Sequence, residues 1–501
     1  RPLTGRPPPL LPPRAFSLRA GRAGRTTEGL SRDREIINLA WPAVLGASID
    51  PLLSLLDTYW VSRCLGMLSL AALGPALNVE DWMFDILKTV QVPVRSLTSE
   101  SVAAGRPEEV QETLSQALCF CWRIGLAVAL CGSALATCLL RLSSVEASSP
   151  LMAPAKSYLV PRLWGAPGLL TLIVLQAALS GAFRDTSAVL RLVLLGAGLN
   201  ALLTPIGVAG LKGGTAGAAW ATTIACYASA VAAWILVARR PCSGGKRWLP
   251  PPGRVFAAAF LGKASAQSAE SKKNWVVLLK ANVAMTVRTF SSLTTWLVAC
   301  AIITKIGVAP LAAHTCMCKT FLTLLYLLYG FQLAAQVLVS ADVVGGDPIR
   351  ARRTALRAIR LGILVATLAA VGLWAGQGFI ASVLVRDKLV TETFGTLVPP
   401  TMAMLLIYGV MWVADGVLYG LGQYAWTAKC TSYAGAAAVA MMVLLASRPH
   451  VTAVEIWWSL NIMMAIRAVF GVQKVFFSPS SPLSKNAQLV RAGPLQSDEP
   501  T

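Results

Sequence analysis

The chain has 501 residues, of which 55% are hydrophobic and 13% are charged, whereas soluble domains ordinarily carry about a quarter of charged residues. This composition excludes an ordinary soluble domain and indicates a membrane protein. The net charge of +21 does not indicate a nucleic-acid partner, because the basic residues lie in short connectors and form no nucleic-acid-binding motif. Anionic lipid surfaces and orientation in the bilayer account for them better.

Residues 1–33 differ in composition from the rest of the chain. They are rich in proline and arginine, and the first acid is Glu28. An arginine-rich, acid-poor leader resembles an organelle transit peptide. A disordered basic cytosolic tail explains the same composition, so both interpretations remain open.

Apolar runs of about 20 to 30 residues follow one another from residue 36 onward, which is typical of membrane-spanning helices. They predict about twelve spans, near residues 36–61, 68–99, 114–141, 158–182, 188–209, 215–238, 276–304, 308–341, 355–383, 397–421, 426–446 and 454–477.

The longest break, 239–275, is a basic linker that divides the spans into six and six. It predicts an N-lobe over 34–238, a C-lobe over 276–477 and a disordered tail over 478–501. The positive-inside bias places the linker and the leader on the cytoplasmic or stromal side.

The first predicted span contains two acids, Asp50 and Asp57, and two prolines, Pro42 and Pro51. A carboxylate at bilayer depth costs roughly 2.5 to 3.5 kcal/mol, so an acid there indicates a function. Proline frees a backbone carbonyl and lets a helix bend. We therefore interpret the prolines as hinge candidates.

The two halves of the chain repeat. Gly66 to Ala72 aligns with Gly307 to Ala313 at an offset of 241 (307 minus 66), and the same offset aligns Gly105-Arg106-Pro107 with Gly346-Asp347-Pro348. Six spans return the chain to its starting side, so the two halves share one orientation. The predicted fold is an all-α integral membrane protein of about twelve transmembrane helices, in two six-helix lobes related by a pseudo-two-fold axis along the membrane normal. Such repeats typically enclose a midplane cavity.

Several separate motifs keep a characteristic order along the chain: Asp50 to Thr58, Leu65-Gly66, Leu70 to Gly74, Gly181, Arg184 to Thr186, Gly217 to Thr222, Arg288-Thr289 and Leu311 to His314. They resemble the motifs of the multidrug and toxic compound extrusion (MATE) family, and within it the DinF-like branch with the plant plastid DETOXIFICATION proteins. The resemblance implies a transporter rather than an enzyme. It implies efflux of a small organic solute or xenobiotic by antiport against protons or sodium, with no cofactor. The chain is then expected to be a multi-pass membrane protein and a monomer. The plastid envelope is one candidate location.

The resemblance also implies a cation site in the N-lobe. Asp57 matches the acid of the first helix, and Asn200 matches the asparagine of the fifth, but Thr204 stands where the family has aspartate. The repeat supports Asp57 independently, because its counterpart at the offset of 241 is Val298 and the fold therefore does not require an acid there. Asp50 lies nearly two turns before Asp57 on the same face, in a relay or a structural role.

Other charged residues lie within predicted spans. Glu80, Asp81, Asp85 and Lys88 form either a neutralised ion-pair cluster at the cavity mouth or a second cation or cationic-substrate site. Near the fourth span the offset of the repeat is 239, because Leu179-Ser180-Gly181 matches Leu418-Tyr419-Gly420. Asp415 therefore occupies the repeat position of Gln176 (176 plus 239), and both are expected to face the space between the lobes. Arg288 and Arg467 are expected either to meet an anionic solute or to pair with acids.

His314, Cys316 and Cys318 do not share one helix face, so no metal site is expected.

Three other functions remain as alternatives. A lipid-linked oligosaccharide flippase of the same superfamily would have a cavity rich in basic residues. A membrane prenyltransferase would use Asp81-x-x-x-Asp85 with magnesium, but a second aspartate-rich motif is missing from the sequence. A membrane scaffold or receptor would show no solute flux.

Overall fold

The computed structural model describes residues 22–143, 148–240, 248–251, 253–255, 269–384 and 388–484. Within these ranges the side chains at 22–30, 50–59, 61–63, 66–68, 70–71, 142, 269–274, 308 and 383–384 lie outside the description. The described backbone is helical and contains no β-strand. Its helices are α1 (Arg22–Leu87), α2 (Gln91–Ala103), α3 (Pro107–Leu142), α4 (Met152–Trp164), α5 (Ala166–Gly181), α6 (Thr186–Pro205), α7 (Gly214–Ala238), α8 (Ala269–Ile306), α9 (Val308–Val344), α10 (Pro348–Leu384), α11 (Lys388–Gly420), α12 (Tyr424–Ala446) and α13 (Ala453–Phe476).

Nine stretches within the described residues are long and apolar enough to cross a bilayer. A tenth span is formed by α4 and α5 together, which meet at Gly165 with a bend of 45°. The bend follows from the sequence, because Pro161 and Pro167 flank the junction and proline interrupts the hydrogen-bond ladder of a helix. The first two predicted spans are supplied by α1 and α2, which completes the all-α membrane fold of two six-helix lobes.

Helix α1 covers both the first predicted span and most of the second. The loop expected near 62–67 is absent, since the backbone there is helical. The chain nevertheless reverses direction, because Ala40 and Arg95 both contact residues 329–336 of α9. A straight helix would place them roughly 80 Å apart. The two ends of α1 therefore lie side by side in the N-lobe.

The structure reproduces the internal repeat. Gly105 and Gly346 both have positive φ, +71° and +81°, and each is followed by a helix that begins at proline. A Cβ at Gly181 would stand 2.4 Å from the carbonyl oxygen of Arg95, and a Cβ at Gly420 would stand 2.6 Å from that of Gln336. Glycine is required at both places because two helix backbones touch there.

The lobes meet mainly through α1, α2 and α9. Arg32 pairs with Asp342 and Arg357 with Asp33, on the side of the molecule where α7 ends before the basic linker. Deeper on the same side, Ser99 donates to the carbonyl of Val337 at 3.1 Å. The described lobe contacts thus close the side of the molecule where α7 ends, which the positive-inside bias predicts to be the inner side.

Two predicted boundaries need correction. Residues 22–33, assigned to the leader, are helical, and Arg32 is buried between the lobes. Residues 478–484, assigned to a disordered tail, pack against the C-lobe, because Leu483 is buried and its carbonyl accepts a hydrogen bond from Arg352. Residues 1–21, 241–247, 252, 256–268 and 485–501, which include most of the predicted leader, linker and tail, lie outside the described residues.

Candidate solute cavity

A cavity of about 520 Å³ lies in the N-lobe and is bordered on one side by α9. Both ends of α1 and helices α2, α4, α5, α6 and α7 form its wall. Its polar lining consists of Glu80, Asp81, Asp85, Lys88, Gln91, Arg95, Arg162, Gln176, Ser180, Asn200, Thr222, Thr223, Thr186, Ser229, Tyr158, Tyr326 and Tyr329. Asn200, Gln176, Asp81, Asp85 and the hinge candidate Pro42 were expected to take part in the site, and the structure brings them to this one cavity.

The predicted cation site is partly described. Asn200 donates from Nδ2 to Oγ1 of Thr222, and Thr204 donates from Oγ1 to Oδ1 of Asn200, both at 2.8 Å. Asn200 and Thr204 are buried, so the Thr204 hydroxyl fixes the orientation of the asparagine amide. Thr222, the acceptor of this hydrogen bond, is a neighbour that sequence reasoning missed, although it ends one of the quoted motifs. The side chains of Asp57, Asp50 and Pro51 lie outside the described residues.

The four charged residues at and just beyond the end of α1 do not all pair with one another. Lys88 pairs with Asp85 at 3.3 Å, and both side chains are partly exposed. Glu80 is buried and pairs instead with Arg162 of α4, whose Nε lies 2.8 Å from its Oε1. The partner that neutralises Glu80 therefore lies outside these four residues.

At the inner end of the cavity lies a second arginine, Arg95 of α2, which is 5% exposed. Its Nε donates to Ser180 at 3.1 Å and its Nη1 to Gln336 at 3.2 Å. Its Nη2 donates to Gln91 at 3.1 Å and to Tyr329 at 3.3 Å. All four acceptors are neutral. Sequence reasoning missed Arg95, Gln91 and Arg162, although a basic residue inside an apolar run is a signal that would have found the two arginines.

Asp415 and Arg288 were expected at the cavity, but they do not line it. Asp415 Oδ2 accepts from Arg467 at 2.5 Å and from Arg288 at 3.3 Å, inside the C-lobe. The guanidinium of Arg288 also lies 5.7 Å from the centre of the Tyr419 ring. Both arginines therefore pair with the acid, as a lone carboxylate would be costly in the interior.

His314 is held by a hydrogen bond inside the C-lobe. The indole Nε1 of Trp457 donates to His314 Nδ1 at 3.1 Å, and both side chains are buried. The described part of the chain contains no group of three or more His, Cys, Asp or Glu side chains with the spacing of a metal site.

Comparisons with known proteins agree with this architecture. The model of the MatE family matches residues 42–206 and 283–444, one segment in each lobe. Protein DETOXIFICATION 43 of Arabidopsis thaliana is 26% identical, over 89% of this chain and 91% of that protein. Protein DETOXIFICATION 44, chloroplastic, of the same plant is also 26% identical, over 88% and 82%. The DNA damage-inducible protein F of Escherichia coli is 28% identical over 41% of this chain and 44% of that protein.

Solved structures share the fold. A MOP superfamily transporter from Pyrococcus furiosus superposes with a TM-score of 0.76 at 18% identity, over 88% of this chain and 94% of that one. An outward-facing multidrug resistance transporter of the same superfamily superposes with a TM-score of 0.75 at 17% identity, over 88% and 94%.

Proposed function

Because the chain belongs to the MatE family and is a MATE-type multi-pass transporter, we propose that it exports a small organic solute by antiport against protons or sodium. Export would proceed by alternating access of the cavity to the two sides of the membrane. The proposal includes no enzymatic step and no cofactor. Multidrug or xenobiotic efflux is the proposed physiological class.

The observation that carries this proposal is the cavity between the N-lobe helices and α9, with the lobe contacts on its inner side. The ion pair of Arg32 with Asp342 and the hydrogen bond of Ser99 to Val337 separate the cavity from the side of the basic linker. A solute in this cavity is thus shielded from the inner side, which is the arrangement expected after loading and before release outward.

Coupling is assigned to Asp57 with Asn200, supported by Thr222 and Thr204. A charged carboxylate at bilayer depth is costly, so binding of a proton or of sodium to Asp57 changes the free energy of the helix that carries it. If the two conformations of the transporter bind the ion with different affinity, the ion gradient shifts their populations. Pro42 and Pro51 are the proposed positions of bending in α1, and Asp50 is a proposed second acid of the relay.

Proteoliposomes test this function. The purified protein is reconstituted, a pH gradient is imposed at equal sodium on both sides, and efflux of an organic dye is followed together with internal pH. We expect solute-stimulated proton flux for the wild type and for Asp347→Asn, an acid in the connection before α10. We expect none for Asp57→Asn, which should still insert. Full gradient-driven flux by Asp57→Asn would refute the coupling assignment. Flux driven only by a sodium gradient would identify sodium, rather than the proton, as the coupling ion.

The flippase alternative gains no support from the cavity. Its described lining carries as many acids (Glu80, Asp81, Asp85) as bases (Lys88, Arg95, Arg162) and is not a basic surface.

The relatives whose names include "chloroplastic" support a plastid membrane as the proposed location. A fluorescent fusion of the full reading frame, imaged with chlorophyll, tests it, and fluorescence at the plasma membrane would contradict it.

A further inference from the structure

A second cavity, of about 670 Å³, lies between the amino-terminal part of α1 and the connection from α5 to α6. Arg34, Asn38 and Trp41 of α1 line one side of it, and their spacing places them on one face of the helix. Arg184 and Ser187 line the other side. We call this cavity the α1–α6 pocket.

The α1–α6 pocket lies at the level of the lipid headgroups. Arg34 stands shortly before the first predicted span, and Arg184 stands shortly before the fifth. Arg240, at the end of α7, pairs with Asp185 beside the pocket, so the pocket and the basic linker share one side of the membrane. The positive-inside bias predicts that this is the inner side, whose leaflet is rich in anionic lipids.

Basic charge exceeds acidic charge in the pocket. Glu35 is the one acid among its described lining residues, and it pairs with Arg32 as well as with Arg184, the latter at 3.3 Å. Arg34 is exposed and forms no ion pair with a described side chain. Two guanidinium groups thus share one carboxylate inside the pocket, and guanidinium donors match the oxygens of a phosphate.

Arg184 takes a backbone conformation that suits glycine better. Its φ is +51°, in the left-handed region. The C-lobe forms the same turn before α12, where Gln423 takes the N-cap position that Asp185 takes before α6, and the residue ahead of Gln423 is Gly422, with φ of +68°. The turn therefore does not require an arginine. A strained residue that its turn does not require indicates a function of the side chain.

An apolar strip of α1 leads from the pocket into the bilayer. It consists of Ile37, Trp41 and Leu45, which recur at every fourth position and are all exposed. Ile37 and Trp41 line the pocket, and Leu45 follows one turn deeper. Tryptophan is typical of the membrane interface. A molecule that occupies both the pocket and the strip therefore has an anionic head and an apolar chain.

We propose that the α1–α6 pocket binds an anionic phospholipid of the inner leaflet. Its phosphate contacts Arg34 and Arg184, the side chains of Asn38 and Ser187 donate hydrogen bonds to its oxygens, and one acyl chain lies along the apolar strip. Pro42 lines both this pocket and the solute cavity, so the lipid contacts the part of α1 that carries a hinge candidate. The site is separate from that of the transported solute.

Photo-crosslinking in vesicles tests the site. The full chain is reconstituted in phosphatidylcholine with a trace of phosphatidylglycerol that carries a diazirine close to its headgroup, and the adducts are mapped by peptide mass spectrometry. We expect adducts in the peptides that contain residues 34–45 and 184–187. Excess unlabelled phosphatidylglycerol should reduce them about tenfold or more, because each basic residue near an anionic lipid contributes a factor of about five. Absence of adducts from both peptides, or equal competition by phosphatidylcholine, overturns the proposal.

Two variants assign the binding to the arginines. Arg34→Gln and Arg184→Gly should each reduce the phosphatidylglycerol adducts about fivefold. The matched control is Arg353→Gln, which removes an exposed arginine from the C-lobe on the same side of the membrane and should crosslink as the wild type does. Adducts that are unchanged in both pocket variants, or that fall equally in the control, overturn the assignment.

Arg184→Gly also separates lipid binding from folding. Glycine suits the left-handed conformation, so the variant should unfold in lipid-free neutral detergent at the wild-type temperature or above it. A ligand that binds the folded state raises its apparent stability, so phosphatidylglycerol should raise the unfolding midpoint of the wild type more than that of the variant. An equal rise in the two proteins overturns the role of Arg184. If the variant does not fold, the wild-type competition and Arg34→Gln decide.

Discussion

Arg162 of α4 donates from both Nε and Nη2 to the same oxygen of Glu80, which lies on the carboxyl-terminal part of α1. The Glu80 side chain is 3% exposed and that of Arg162 is 18% exposed, so this pair joins two helices inside the wall of the cavity. The second oxygen of Glu80 has no hydrogen-bond partner among the described residues. The pair is therefore sensitive to the loss of either member.

We predict that Arg162→Met lowers the stability of the folded protein by about 3–5 kcal/mol, because it leaves the Glu80 carboxylate buried without a cation. The double variant Glu80→Gln with Arg162→Met should lose much less, since no charge remains. Thermal unfolding midpoints in detergent are measured for these two variants and for Glu80→Gln alone, and size-exclusion chromatography confirms that each protein is folded. A double variant as unstable as the two single changes added together would show that the residues do not interact.

The sequence alone predicted much of the fold, since long apolar runs specify membrane helices and the matching glycines of 105 and 346 specify like turns. It did not predict the continuous helix through 62–67, because a short polar break does not show whether the backbone turns as a loop or as a bent helix. It also did not place the broken span at Gly165, although the two prolines around it carry that information.

The site was harder to predict than the fold. The resemblance points to Asn200 and the repeat to Gln176, and both line the cavity, although their roles stay predictions. Asp415 was misplaced, because the repeat aligns it with Gln176 but does not reveal that Arg467 and Arg288 surround it. Pairing between distant spans depends on tertiary packing, which periodicity does not encode.

Gly330 marks the closest approach of α1 and α9. A Cβ built there would stand 2.2 Å from the carbonyl oxygen of Ala40 and 2.8 Å from a methyl group of Val44. We predict that Gly330→Ala destabilises the protein by about 1–3 kcal/mol, because the two helices must move apart. Gly372→Ala, in α10 with no neighbour within 4 Å, is the matched control and should be neutral or stabilising by up to about 1 kcal/mol. Similar unfolding midpoints for the two variants would contradict the close crossing.

Asp342 of α9 joins the lobes on the inner side, since it pairs with Arg32 and also accepts from Thr354 at 2.9 Å. We predict that Asp342→Asn weakens this closure and raises the population that is open to the inner side. The measurement is labelling of Ser99→Cys by a membrane-impermeant maleimide applied from that side, which should increase about fivefold or more.

The control for this labelling is Asp347→Asn, a change of the same type in the connection before α10, where the carboxylate caps the helix through the N–H of Arg350. Its labelling should equal that of the protein with Ser99→Cys alone. An Asp342→Asn protein whose labelling is no faster than this control would show that the ion pair does not hold the inner side closed.

Asp185 lies in the connection between α5 and α6, where it caps α6 by accepting from the N–H of Ala188 at 2.8 Å. Burial alone would raise the pKa of this carboxyl, but the hydrogen bond and charge of Arg240, together with the Ala188 N–H, lower it below its usual 3.8. A lowered pKa in the folded state means that the charged form stabilises the fold above the usual pKa. That contribution is lost as the pH falls through the folded value.

The test is Asp185→Asn, which keeps the capping ability but removes the charge. At pH 7 the variant should be less stable than the wild type by about 0.2–1 kcal/mol, the range of a partly exposed ion pair. At a pH well below the usual 3.8 the difference should vanish, because the wild-type carboxylate is then protonated as well. Unfolding midpoints in detergent at both pH values give the two differences. A difference of the same size at low pH would mean that the asparagine acts through lost packing or geometry rather than through the ion pair with Arg240.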